Sequence, residues 1–294
     1  MTRLAKRMCS AVLAAGVVCG CILPASAAEA EEEARVLQYE TAEPVSAVKA
    51  NVENAELIVQ AGQTDKITVE SAADGKGKFT YNFSVKDGVL TVDVDAIEPE
   101  EFYGRETDSS GSVFIKSGRI YDNTITVTQP EKTYASLCAE VDNGRIEFTG
   151  VEADALQAEV KNGSVAVQNV KADTVQTKIE NGNALAKDVT AGTLRTEAGN
   201  GRIKFWNVTA GSLQADLKTG LIGFENANAS TYKCEVKTGN IEGTLTGDQA
   251  AYRISVDLDW NWGVSNLKNQ PGDGSGKSID FHIRLGSVDV SFTA

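Results

Sequence analysis

Residues 156–174 read LQAEVKNGSVAVQNVKADT, and this segment decides the fold because the chain rewrites it at a fixed interval. Apolar or small side chains stand at Leu156, Ala158 and Val160, then at Val165 and Val167, then at Val170 and Ala172. Strict alternation of this kind buries one face of a β-strand and leaves the other in solvent. Between the first two runs lies Asn162-Gly163, a pair that tolerates positive φ and so marks a corner. Further corners fall at Asn169 and Asp173. Stepping the window by 19 residues returns the pattern without insertion or deletion, so that Gly144, Gly163, Gly182, Gly201, Gly220 and Gly239 fall in register. Self-similarity on a period near 20 marks a repeat architecture.

The columns generated by this period have distinct chemistry. Val141, Val160, Ile179, Ala198, Leu217 and Val236 form an apolar column, and Ala153, Ala172, Ala191, Ala210 and Ala229 suit a tight corner. Glu140, Glu159, Lys178, Glu197, Asp216 and Glu235 form a polar column facing outward. A parallel β-solenoid and an antiparallel meander closing into a barrel or sandwich could both produce such alternation. Stacking of like on like with no slack for length changes favours the first, because hairpin loops tolerate insertions. The expected fold class is therefore all-β, a single parallel β-solenoid (β-helix) with coils of 19 residues. A coil burying a handful of side chains at roughly 1.5–3 kcal/mol for each large one offsets its ordering entropy only within a stack.

The same spacing extends beyond the regular repeats at 137–243. Val48, Ala50, Val52, Asn54-Ala55, Leu57 and Val59 repeat it with alanine in the glycine slot. Tyr81, Phe83, Val85, Gly88, Leu90 and Val92 repeat it again, as do Ile279, Phe281, Ile283, Gly286, Val288 and Val290. Val256, Leu258, Trp260 and Gly263 keep the register more loosely. The solenoid domain is accordingly placed at 41–294, with irregular loops at 95–123 and 269–277. Long loops on a regular scaffold are common seats of binding function.

At the N-terminus, Arg3, Lys6 and Arg7 precede an apolar run ending at Leu23, then Pro24 and the small residues Ala25, Ser26 and Ala27. Residues 1–27 thus read as a secretory signal peptide with an A-x-A cleavage site. Val18, Cys19, Gly20 and Cys21 loosely match a lipobox, so lipid anchoring at Cys21 is the alternative to free secretion. Residues 28–40 read as an acidic, flexible leader. Removing residues 1–27 takes away three of the 28 cations and none of the 41 acids, leaving a formal charge of −16. Such a balance excludes nucleic acid as a partner and argues against anionic membrane surfaces, since phosphates seek basic patches.

Two cysteines remain, Cys138 and Cys234, separated by 96 residues or five periods plus one. Five coils at about 4.8 Å put them roughly 24 Å apart, against a Cα limit of roughly 7 Å for a disulfide. Two free thiols are expected, with Cys234 as a small core residue in the inward column of Ala139, Ala158 and Ala215.

A short N-terminal strand section, a strand ending in proline (Ile125, Val127, Pro130) and coils bearing V-x-N-G-x-I or V-x-T-G-x-I carry a family likeness. Over residues 40–294 the chain resembles the bacterial putative-adhesin family, a domain of unknown function of exported β-strand-repeat proteins, and is similar to autotransporter-adhesin head domains. The resemblance implies a right-handed β-helical fold and a cell-envelope or extracellular location. It supplies no functional residues.

The residues offer no catalytic constellation, so no catalytic, cofactor-binding or metal-ligating residue is assigned. The single histidine, His282, lies between inward Phe281 and Ile283 and should face solvent. Stacked acids such as Glu140 and Glu159, or the pair Asp257 and Asp259, are conceivable Ca²⁺ ligands, but the Gly-Gly-Asp nonapeptide pattern is absent. A carbohydrate-active β-helix enzyme would need one special carboxylate pair, and acids stand on every strand. Trp206, in a column otherwise held by Thr149, Gln168, Lys187 and Glu225, is the candidate binding residue, because an exposed indole can stack on a sugar or anchor a protein. Trp260 and Trp262 alternate with Val256 and Leu258 and read as core or end cap. The expected function is an exported, non-enzymatic surface or secreted binding scaffold of adhesin type, with a protein or glycan ligand. The alternative is an envelope-associated regulatory or structural component, and no sortase-type LPxTG tail favours covalent wall display.

Overall fold

The computed structural model describes residues 35–73, 79–96, 105–107, 113–115, 123–259 and 263–293. The signal segment, the lipobox and Trp260 and Trp262 lie outside them, as does most of the loop expected at 95–123. Among the described residues the chain is all-β, with one short 3-10 turn at Gln249–Ala251.

The centre of the molecule is the regular array. Strand β9 (Thr133–Thr149), the 55-residue trace β10 (Glu152–Trp206) and β11 (Thr209–Thr246) pair in parallel. Their partners stand 19 residues apart: Val141 on Val160, Gly144 on Gly163, Gly201 on Gly220. The glycines form one column with φ between 136° and 154°, as their spacing predicts. Packing explains the requirement, because a Cβ at Gly163 would lie 1.8 Å from the Gly144 carbonyl oxygen. Strand β2 (Ala47–Gly62) opens the array, setting Asn54 on Asn143 and Ala55 on Gly144. Among the described residues the strands beyond β2 pair with residues 47–52 and 56–62, so none pairs with Ala55 as Gly144 pairs with Gly163.

The N-terminal part is built differently, and it corrects the expectation of one uniform parallel solenoid over 41–294. Strand β1 (Arg35–Thr41) runs antiparallel to β3 (Ile67–Ala73), and β3 antiparallel to β8 (Asn123–Pro130). β1 thus includes residues 35–40, expected as leader, and its Tyr39 packs against Phe83 at 6.0 Å. Strands β4 (Phe79–Lys86) and β5 (Val89–Ala96) form a hairpin, with Lys86 opposite Val89. The cause is local: Asp87 and Gly88 both take positive φ, 51° and 75°, which folds the chain back on itself. At Asn143-Gly144 only the glycine is positive, and the chain turns a corner and runs on. A small antiparallel pair, β6 (Arg105–Thr107) and β7 (Val113–Ile115), lies within the expected loop. The result is a mixed, open sheet in the order β1-β3-β8-β2-β9-β10-β11, with β5 beside β2.

At the far end the strand order departs from the chain order. After β12 (Arg253–Leu258) and the two-residue β13 (Val264–Ser265), β14 (Ser278–Thr293) inserts between β11 and β12. An inner coil must be apolar on its core face, and Ile279, Phe281, Ile283, Val288 and Val290 are all buried. Val256 and Leu258 of β12 are only partly covered, which suits the outermost place. Across the core, Phe224 stacks nearly parallel to Phe205 at 5.5 Å and to Phe281 at 6.2 Å. Cys138 and Cys234 are free thiols, as expected, and Cys234 is fully buried.

Candidate functional site

A groove of about 790 Å³ runs across the outward face of coils contributed by β10, β11 and β14. Within it, Gly199 interrupts the outward column of charged residues, standing between Glu180 and Lys218, while Ala198 beside it belongs to the buried apolar column. Gly199 also lets the backbone close up, since a Cβ there would lie 2.2 Å from the Glu180 carbonyl oxygen.

The groove is walled by charge. Along one side Glu197, Asp216, Glu235 and His282 follow one another up the stack, one per coil. The acids are held by cations from the next outward column: Arg195 Nε donates to Glu197 at 2.7 Å and its Nη2 to Asp216 at 3.1 Å, while Lys233 pairs with Glu235 at 3.2 Å. Burial pushes the Asp216 carboxyl above the usual carboxylate range, and the Arg195 guanidinium opposes the shift. Its Oδ1 atom is buried with no hydrogen-bond partner among the described residues. Along the other side stand Lys218, Lys237 and Arg284, also one per coil, and none of them forms an ion pair with a described residue. Like charges directly opposed across strands are destabilising. A stripe of three in an acidic chain is therefore a feature that fold stability does not explain.

Trp206 closes β10 away from the groove. It is half-buried, with the Lys187 ammonium 4.4 Å and the Lys204 ammonium 5.0 Å from its ring centroid. Lys204 is further tied to Glu225 at 2.8 Å. A sugar stacking on this indole would have to displace a lysine. His282 faces solvent as its place between Phe281 and Ile283 requires, and its Nε2 lies 3.2 Å from Asp259 Oδ1. Sequence reasoning places the acidic column correctly but misses the groove. Its one visible signal is Gly199, where the charged column of Glu180 and Lys218 loses its side chain.

Parallel strands in a 19-residue register, joined to antiparallel strands in one open mixed sheet and carrying a charged surface groove, define a class of repeat-built all-β proteins. The Toastrack DUF4097 family matches residues 45–272, and the chain belongs to that family. In fold it is similar to a putative adhesin from Parabacteroides distasonis, with 13% identity, 88% of this chain and 98% of the other covered, and a TM-score of 0.51. Two further solved structures are similar over 87% of this chain: a putative lipid binding protein from Parabacteroides distasonis (16% identity, 96% of its chain, TM-score 0.49) and a putative adhesin from Bacteroides fragilis (14%, 97%, 0.48). No curated protein matches the chain in sequence. No helix among the described residues is long and apolar enough to cross a membrane.

Proposed function

We propose that the chain is an exported, non-enzymatic binding scaffold of adhesin type, acting outside the cell or at its surface. Residues 1–27 serve as the signal, with anchoring at Cys21 as the alternative to free release, and a right-handed stack of 19-residue coils serves as the rigid support. The observation that carries this reading is the stripe of Lys218, Lys237 and Arg284 along the groove, free of ion pairs with described residues. Cations at the repeat of the stack, roughly 4.8 Å, match a ligand whose negative groups recur along a chain, such as an acidic polysaccharide. The putative adhesin from Parabacteroides distasonis shares the fold and is consistent with this role.

The test is an array of neutral and acidic glycans and matrix proteins, probed with the wild-type protein and with a Lys218→Gln, Lys237→Gln, Arg284→Gln variant. Acidic glycans should be retained by the wild type, weaken with added salt and be lost in the variant. Equal retention by the variant, or turnover of any array component, overturns the proposal.

A further inference from the structure

We propose that Asp257, Asp259 and His282 form a binding site for one divalent transition-metal ion of borderline softness, with Zn²⁺ as the representative. The site arises from the parallel pairing of β12 with β14. In the parallel register Asp257 stands directly beside His282, and Asp259 follows two residues on along the same face. One ligand atom from each of the three residues lies within 4.8 Å of the other two. The backbone holds this arrangement, because the Asp259 amide donates to the Ile283 carbonyl at 3.1 Å. The His282 Nε2 to Asp259 Oδ1 distance of 3.2 Å is close to the edge of a zinc tetrahedron, roughly 3.4 Å for bonds of about 2.0–2.2 Å. Asp257 is exposed and closes the remaining distance by rotating its side chain.

The donor set selects the ion. Ca²⁺ takes six to eight oxygens and Mg²⁺ holds its waters, whereas one imidazole nitrogen with two carboxylates suits zinc and its neighbours and leaves a coordination position open. The residues around the imidazole reinforce the choice of a cation, since Glu235 is its register partner on β11 and Asp257 its partner on β12. Asp259 and His282 also line the end of the groove, so an ion held there borders the surface described above. The site does not depend on the adhesin reading.

His282 is the only histidine in the chain, which makes the experiment direct. The full-length protein, labelled at histidine, is titrated with zinc chloride while the imidazole resonances are followed by NMR. Zinc should move them to a saturating end point, and calcium chloride at the same concentrations should leave them in place. Asp257→Asn and Asp259→Asn should each raise the half-saturating zinc concentration by about tenfold or more. All three positions are exposed, so an unchanged thermal midpoint should accompany the loss. An immobile wild-type resonance, an equal response to calcium, or unchanged half-saturation in both variants would overturn the site.

Discussion

Gly182 stands where any larger residue would collide with the coil beneath it: a Cβ would lie 1.7 Å from the Gly163 carbonyl oxygen, at a φ of 141°. Neither atom can yield, because the carbonyl is backbone and the Cβ position is fixed by the backbone that bears it, both inside a continuous parallel ladder. Gly182→Ala should therefore cost at least about 3 kcal/mol, combining a strained φ with forced separation of two coils. Gly150 isolates the first term, since its φ is 67° but the space around it is open. Gly150→Ala should cost only about 1–2 kcal/mol. Urea unfolding of both variants decides the matter, and equal losses would remove the stacking explanation. At Trp206 the lysine contacts are each worth about 0.5–1 kcal/mol at exposed sites. Trp206→Ala should then lower the melting midpoint by only a few degrees, about 2–4 °C for each kcal/mol in a domain of this size. A fall beyond about 10 °C would place the indole in the core.

Between coils, a ladder of side-chain amides runs up one corner. Asn143 donates to Asn54 at 2.8 Å, Asn162 to Asn143 at 3.0 Å, Asn181 to Asn162 at 3.1 Å and Asn200 to Asn181 at 2.9 Å. Asn162→Ala deletes two rungs on an exposed edge and should cost about 1–2 kcal/mol in all. Val160, fully buried two residues before Asn162 in the same strand, tests the element itself. Val160→Asp places an unpaired carboxylate between Val141 and Ile179, and protection from hydrogen exchange should fall together across β9 and β10. Loss confined to the residues around position 160 would mean that the coils open independently. The ladder is legible in the sequence, because a 19-residue period with Asn before Gly puts amide over amide. The β4–β5 hairpin is legible only in part. Asp87-Gly88 and Asn143-Gly144 both read as turns, and nothing in the pairs alone separates a reversal from a corner until φ at the first residue is known.

At the scale of the molecule, period and burial fix which residues share a column but not the order in which coils stack. Val256 on Phe281 is in register whether β12 lies inside or outside β14, so spacing can pair the two strands but cannot show that β14 is the inner one. What orders the coils is the difference in apolar cover between the two strands, a property of the assembled core. The same core governs the response to alkali. Tyr134 is fully buried, and desolvation pushes its hydroxyl up to about 12, from about 10 in an unfolded chain. Tyr232 and Tyr252 are shifted in the same direction, chiefly by burial. A folded-state value above the unfolded one means that both states keep the proton below about pH 10, while above it only the unfolded chain ionises. The stabilisation is thus complete below about pH 10 and is lost as pH rises towards 12. Urea midpoints between pH 9 and 12 should fall progressively. Tyr134→Phe forfeits only a 3.4 Å hydrogen bond to the Pro130 carbonyl, so it should change little at pH 8 and flatten the alkaline decline. Growing negative charge as lysines deprotonate acts on both proteins alike and cancels in the comparison. Parallel declines in wild type and variant would show that the buried phenol at position 134 does not carry the effect.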